Sequence, residues 1–156
     1  TTSGVFVIEL DKNRAPKTVE NFLNYLNEGF YKNTVFHRVI PGFVIQAGGF
    51  TVDLEEKETL PEIINESGNG LTNQRMSIGM ARTNEPHSAS SQFYITLADN
   101  FSLDPMPTRW GYAVFGDVIQ GFDVVNAIAG NATQTMNGMQ DVPVAPVIII
   151  DIKRID

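Results

Sequence analysis

Only two stretches of this chain repeat their apolar residues with a helical period, and they lie toward opposite ends of it. In the first, Val19, Phe22, Leu23 and Leu26 fall at i, i+3, i+4 and i+7, after Pro16, which suits a first helical turn. Glu20, Asn24 and Asn27 lie outside that stripe, and Gly29 is a natural stop. In the second, Phe122, Val125 and Ile128 or Ala129 share a side, and Gly130 ends the run. Between and around them stand short β-branched and aromatic runs: residues 5–10, 36–40, 43–47, 77–80, 92–97, 112–116 and the very apolar 147–152. Strands and helices therefore do not alternate, which disfavours a doubly wound parallel sheet. The pattern favours a mostly antiparallel barrel or sandwich with helices covering its open faces. At 156 residues, with no repeat and no linker-like tract, the expectation is one domain spanning 1–156.

Composition removes several functions. With no cysteine, disulfide scaffolds, thiolate zinc sites and cysteine nucleophiles are excluded. A formal net charge of -7 argues against a general nucleic-acid binder, which needs a basic footprint. No apolar run approaches the roughly 18 residues of a membrane span, so no membrane partner is expected. The first residues do not resemble a signal peptide, and a start at Thr1 instead of methionine implies that something before it was removed. The two histidines, His37 and His87, have neither an HExxH pattern nor an acidic cluster beside them. Nothing resembles a dinucleotide fingerprint, a phosphate loop or a serine elbow. The expectation is no metal and no cofactor.

Of two long connections, the charged 51–76 reads as a solvated loop, whereas 98–111 is of the kind that often carries function. The most unusual stretch is Phe36-His37-Arg38-Val39-Ile40-Pro41-Gly42-Phe43-Val44-Ile45-Gln46-Ala47-Gly48-Gly49, where a charged pair interrupts a hydrophobic strand. If Arg38 and Gln46 point the same way across the Pro-Gly turn, they offer hydrogen-bond donors beside Phe43. Alternatively Arg38 is a strand residue on a solvated face. The alternation of Arg38 with Phe36 and Ile40 is imperfect and leaves both readings open.

That stretch resembles the signature of the cyclophilin family of peptidyl-prolyl cis-trans isomerases. Two further segments resemble it in order: Met80-Ala81-Arg82 followed by Ser91-Gln92-Phe93-Tyr94-Ile95, and Tyr112-Ala113-Val114-Phe115-Gly116. The similarity runs from the first strand to the last and is nearest to compact bacterial members. It implies a mainly β fold, a closed eight-stranded antiparallel β-barrel capped by two α-helices, with the site in a groove on its outer surface. It implies Arg38 as the catalytic arginine, with Gln46 and Phe43 acting beside it. Phe43, Val44, Tyr94 and Leu103 match the pocket for the proline ring. Gln46 and Gln92 match polar groove residues, and Ala81 and Arg82 match the edge whose backbone grips the peptide. Tyr112 stands where eukaryotic members commonly have histidine, and His37 matches the histidine preceding the arginine, in a supporting role.

Several positions depart from the eukaryotic pattern. Val44 replaces methionine, Tyr94 replaces phenylalanine and needs a partner for its hydroxyl, and Arg82 replaces asparagine. The tryptophan associated with cyclosporin matches Ser102, with Phe101 beside it, so weak cyclosporin binding is expected. The implied partners are proline-containing peptides and unfolded or folding proteins, with the chain a monomer. The alternative reading is a proline-peptide-binding chaperone module with incidental turnover. The compartment is bacterial periplasm or cytoplasm, with a lean to the periplasm.

Overall fold

The computed structural model describes all 156 residues. In chain order it contains β1 (Val7–Leu10), α1 (Pro16–Asn27), β2 (Thr34–Ile40), β3 (Val44–Thr51), β4 (Ser77–Met80) and β5 (Phe93–Thr96). A 3-10 turn (Phe101–Leu103), β6 (Val114–Gln120), α2 (Phe122–Ala129), β7 (Thr133–Met136) and β8 (Met139–Pro143) follow. Every strand pairing is antiparallel. Six strands form one sheet in the order β1-β6-β4-β5-β3-β2, and β7 and β8 form a separate two-stranded ribbon. No helix is long and apolar enough to cross a membrane.

The expected closed eight-stranded barrel is therefore corrected. Eight strands are present, but the six-stranded sheet ends at β1 and β2 and neither sheet closes. The apolar run 147–152, expected as the closing strand, makes only one bridge, between Val35 and Ile148. Its hydrogen bonds to β2 are Phe36 N–H to Val147 C=O at 3.0 Å and Ile149 N–H to Thr34 C=O at 2.8 Å. The other flank of Ile148 is taken by Thr2, not by β1: Thr2 N–H donates to Ile148 C=O at 2.9 Å, and Ile148 N–H donates to Thr2 Oγ1 at 3.0 Å. Val147 and Ile149 are buried while Ile150 is 58% exposed, so the run alternates as a strand would. Alternation reports which face is buried and says nothing of which edge the backbone finds.

The core lies on the inner face of the large sheet and takes in buried residues of both α1 and α2. Phe22 is at its centre, with ring centroids 5.1 Å from Tyr31, 5.6 Å from Phe93 and 5.5 Å from Phe115. The stripe that set the helical period is only part of the buried face, because Thr18, Asn21 and Tyr25 are buried as well. In α2 the buried residues are Val125 and Ile128, whereas Phe122 is 45% exposed and does not share their packing. The residue before α1, Ala15, has no capping side chain. Its role is filled from the long 51–76 connection, where the Glu66 carboxylate accepts from Thr18 N–H and Thr18 Oγ1, both at 2.7 Å. A carboxylate at a helix N-terminus meets both the unpaired N–H groups and the positive end of the helix dipole.

Candidate active site

One irregularity in β2 builds the site. Phe36 pairs with Ala47 and Arg38 pairs with Gln46, so two steps along β2 match one step along β3. His37 is the extra residue of a β-bulge. Strict alternation from Phe36 would point Arg38 into the core and Val39 out of it. The bulge reverses this: Phe36 and Val39 are both core residues, at 1% and 0% exposure, and Arg38 faces outward and is half-buried. The imperfect alternation in the sequence is this bulge.

The outer face then carries a row of directly opposed residues across four strands. Arg38 of β2 opposes Gln46 of β3, which opposes Tyr94 of β5, which opposes Gly79 of β4. Arg38 Nη1 donates to Gln46 Oε1 at 3.2 Å, and Gln46 Nε2 donates to Gln92 Oε1 at 2.9 Å. The Gln92 side chain lies against Gly49, where a Cβ would come within 2.6 Å of it. This is the close backbone approach that a glycine permits. The Arg38 guanidinium carbon sits 5.9 Å from the centroid of the Phe43 ring. Arg38 and Gln46 do point the same way across the Pro-Gly turn.

Near this hydrogen-bonded row lie the residues that the family resemblance assigns to the proline ring. Val44 and Tyr94 are buried, at 2% and 4% exposure, while Phe43, Leu103 and Tyr112 are half-buried. Tyr94 has no side chain opposite it at Gly79 and lies across that position. Its hydroxyl donates to Asn73 Oδ1 at 2.6 Å, the partner that a buried phenol requires. Its ring stands edge-on to Tyr112, with centroids 6.3 Å apart. At the far end, Ala81 N–H donates to Gln92 C=O at 3.0 Å, continuing the pairing of β4 with β5.

The family model for cyclophilin-type peptidyl-prolyl cis-trans isomerases matches residues 1–154. The chain belongs to this family. Its similar relatives include a Streptomyces antibioticus peptidyl-prolyl cis-trans isomerase, 54% identical over 152 residues, covering 96% of this chain and 92% of the relative. The Escherichia coli K12 isomerase B is 50% identical over 153 residues, covering 96% and 93%. A crystal structure of a Cryptosporidium parvum cyclophilin-type isomerase, in the presence of the dipeptide Ala-Pro, superposes with a TM-score of 0.78. That match is at 28% identity and covers 96% of this chain and 91% of the other. This cyclophilin is thus an isomerase of X-Pro peptide bonds, and its family binds proline-containing peptides.

The departures from the eukaryotic pattern now have surroundings. The Arg82 side chain ties two loops together. Its Nε donates to Gly111 C=O at 3.1 Å, one terminal nitrogen donates to Trp110 C=O at 3.0 Å, and its guanidinium carbon lies 4.3 Å from the Tyr112 ring centroid. Ser102 is exposed and its neighbour Phe101 is 54% exposed. Trp110 packs edge-on against His87, with centroids 4.8 Å apart. Asn73 escaped the sequence reading altogether. It lies in an irregular polar segment with no period or motif to mark it, and only the fold shows it beneath Tyr94.

His37 is buried inside the bulge. It is 5% exposed, its ring is 4.6 Å from the Phe50 centroid, and its Nδ1 has no hydrogen-bond partner. Burial, with the neighbouring Arg38 charge, lowers its pKa from 6.5 to about 4. Below pH 6.5 the unfolded chain takes up a proton that the folded chain refuses, so folding is penalised increasingly as pH falls toward 4. The contribution reaches roughly 3 kcal/mol, at 1.36 kcal/mol per pKa unit. Urea midpoints measured between pH 7 and pH 4 should fall more steeply for wild type than for His37→Gln. Parallel curves for the two proteins would show that His37 is not the group responsible.

Proposed function

We propose that Arg38 is the residue that accelerates rotation, by donating to the X-Pro amide as it twists. An X-Pro amide resists rotation by ~18–20 kcal/mol because resonance gives its C–N bond double-bond character. Twisting breaks that resonance and localises a lone pair on the proline nitrogen. No covalent bond is made or broken, so the site needs no nucleophile; it needs complementarity to the twisted amide. The observation that supports this reading is the bulge-placed Arg38, bonded to Gln46 and lying beside Phe43.

In this reading Phe43, Val44, Tyr94 and Leu103 hold the proline ring by apolar burial. Gln46 and Gln92 fix the guanidinium and meet the substrate backbone. Ala81 C=O and Arg82 N–H, which have no partner within the chain, grip the extended peptide. Tyr112 closes the end of the pocket under the Arg82 guanidinium, and His37 supports the site only by forming the bulge. A 10⁵-fold acceleration needs about 7 kcal/mol of differential stabilisation. One hydrogen bond to a charged group supplies ~1.5–3 kcal/mol, so the shape of the pocket supplies the remainder. The test is exchange NMR on a short Ala-Pro peptide with wild type and Arg38→Ala side by side. Fast exchange that is lost in a folded variant supports the role; equal exchange in both refutes it.

The natural substrates in this reading are unfolded or folding polypeptides with accessible prolines, bound by a monomer. We place that activity in the bacterial periplasm in preference to the cytoplasm, on the compact loop from Asp104 to Gly111; fractionation of the native host that finds it in the cytoplasm would overturn this. Cyclosporin is expected to bind weakly, because Ser102 offers no indole and Trp110 is engaged with His87. Calorimetry returning nanomolar affinity would contradict that.

A further inference from the structure

We infer that Asn73 is a positioning residue that holds the proline pocket in its binding shape; this rests on the pocket reading given above. Asn73 is completely buried, and each of its polar groups is used. Its backbone N–H and its Nδ2 both donate to Asp104 Oδ1, at 2.7 and 2.8 Å. Asp104 is acceptor-only as a carboxylate, so Nδ2 must face it. Oδ1 is then left facing Tyr94, and the tyrosine hydroxyl donates to it at 2.6 Å. The second Nδ2 proton lies toward Tyr112 C=O at 3.4 Å, and Asn73 C=O accepts from Asn100 N–H at 2.8 Å.

Each of these bonds leads to a different wall of the proposed pocket. Tyr94 is bonded directly. Leu103 precedes Asp104, and its C=O accepts from Tyr112 N–H at 2.8 Å. Asn100 Nδ2 donates to Phe43 C=O at 3.1 Å. Its side chain thus fixes the spacing between β5, the 98–104 loop and the segment at Tyr112, while its backbone carbonyl reaches Phe43 through Asn100. Within the outward row it bonds Tyr94 alone and makes no hydrogen bond to Arg38 or Gln46. Its loss should therefore act on how tightly the ring is held more than on the rotation step.

The experiment is steady-state isomerisation of an Ala-Pro peptide series by the full chain, comparing wild type, Asn73→Ala, Tyr94→Phe and the double variant. Asn73→Ala is expected to raise KM about tenfold with little change in kcat, since removal of uniform binding appears in KM. In the Asn73→Ala background, Tyr94→Phe should recover part of that loss, because no hydroxyl is then buried without a partner. An unchanged KM in folded Asn73→Ala, or additive effects in the double variant, would overturn the proposal. If Asn73→Ala gives no cooperative melt, Asp104→Ala removes the acceptor that sets the amide and should raise KM; an unchanged KM there overturns it equally. Leu103→Ala, measured alongside, separates the two readings: an unchanged KM in that variant removes the pocket reading itself. A raised KM there, with KM unmoved in Asn73→Ala, removes only the role of Asn73.

Discussion

Arg38→Ala is expected to fold normally and to lose a factor of about 10²–10³ in kcat/KM, the usual effect of deleting one preorganised donor aimed at developing electron density. The fold should survive because Arg38 lies on the outer face, and its removal opens no cavity between Phe36 and Val39. Gln46 keeps its bond to Gln92 and so does not become a buried orphan. The loss should fall mainly on kcat, because the guanidinium is asked to bind the twisted amide more tightly than the planar one. Lysine at position 38 should recover little of it, since an ammonium lacks the planar fork that can hold Gln46 and a substrate amide together. Line-shape analysis of a proline-containing peptide, with thermal melts on the same samples, reads both halves of the expectation. Turnover within twofold of wild type in a folded variant would leave Arg38 without the role given to it.

Gly79→Ala is expected to have the second-largest effect, although position 79 carries no chemistry. A Cβ there would overlap the Tyr94 hydroxyl and its ring, with Cε1 at 2.9 Å. The ring cannot simply swing away. Its hydroxyl is held by Asn73, and its ring packs against Tyr112 at a centroid distance of 6.3 Å. Overpacking of this kind costs about 1–3 kcal/mol. The displaced hydroxyl would lose its partner, and the displaced ring would push into the space that the proposed function gives to proline. We expect a lowered melting temperature together with a KM raised about tenfold or more, as for the loss of a well-formed apolar contact. A variant structure with Tyr94 unmoved and an unchanged KM would show that the pocket has slack that this packing does not suggest.

Much of this was legible in the residues, and the failures have physical causes. α1 was readable because its stripe, its proline and its terminating glycine all agree. The strands at 77–80 and 93–96 were readable because they are β-rich and fully buried. The β7–β8 ribbon was not seen, because β7 is mostly exposed and has no apolar alternation. Its signal was in the turn instead: Asn137-Gly138, both at positive φ, is the preferred hairpin dipeptide. Barrel closure was misjudged because the apolar run 147–152 looks like a strand in composition while Thr2 occupies the flank that closure would need. At the site, the pairing of Arg38 with Gln46 could be anticipated from the Pro-Gly turn. Asn73 could not, since a lone polar residue in an irregular segment acquires meaning only from what the fold lays over it.

The bulge at His37 has a consequence for how this strand can change over time. What it requires is a number of residues, not a particular side chain. Any residue that tolerates burial beside Phe50 keeps Phe36 inside and Arg38 outside. Removing residue 37 would restore regular pleating and leave a choice between a guanidinium in hydrocarbon and a phenylalanine in water. The strand is therefore permissive to spelling and intolerant of length: here one insertion, not one letter, separates an ordinary edge strand from a surface that can meet a peptide.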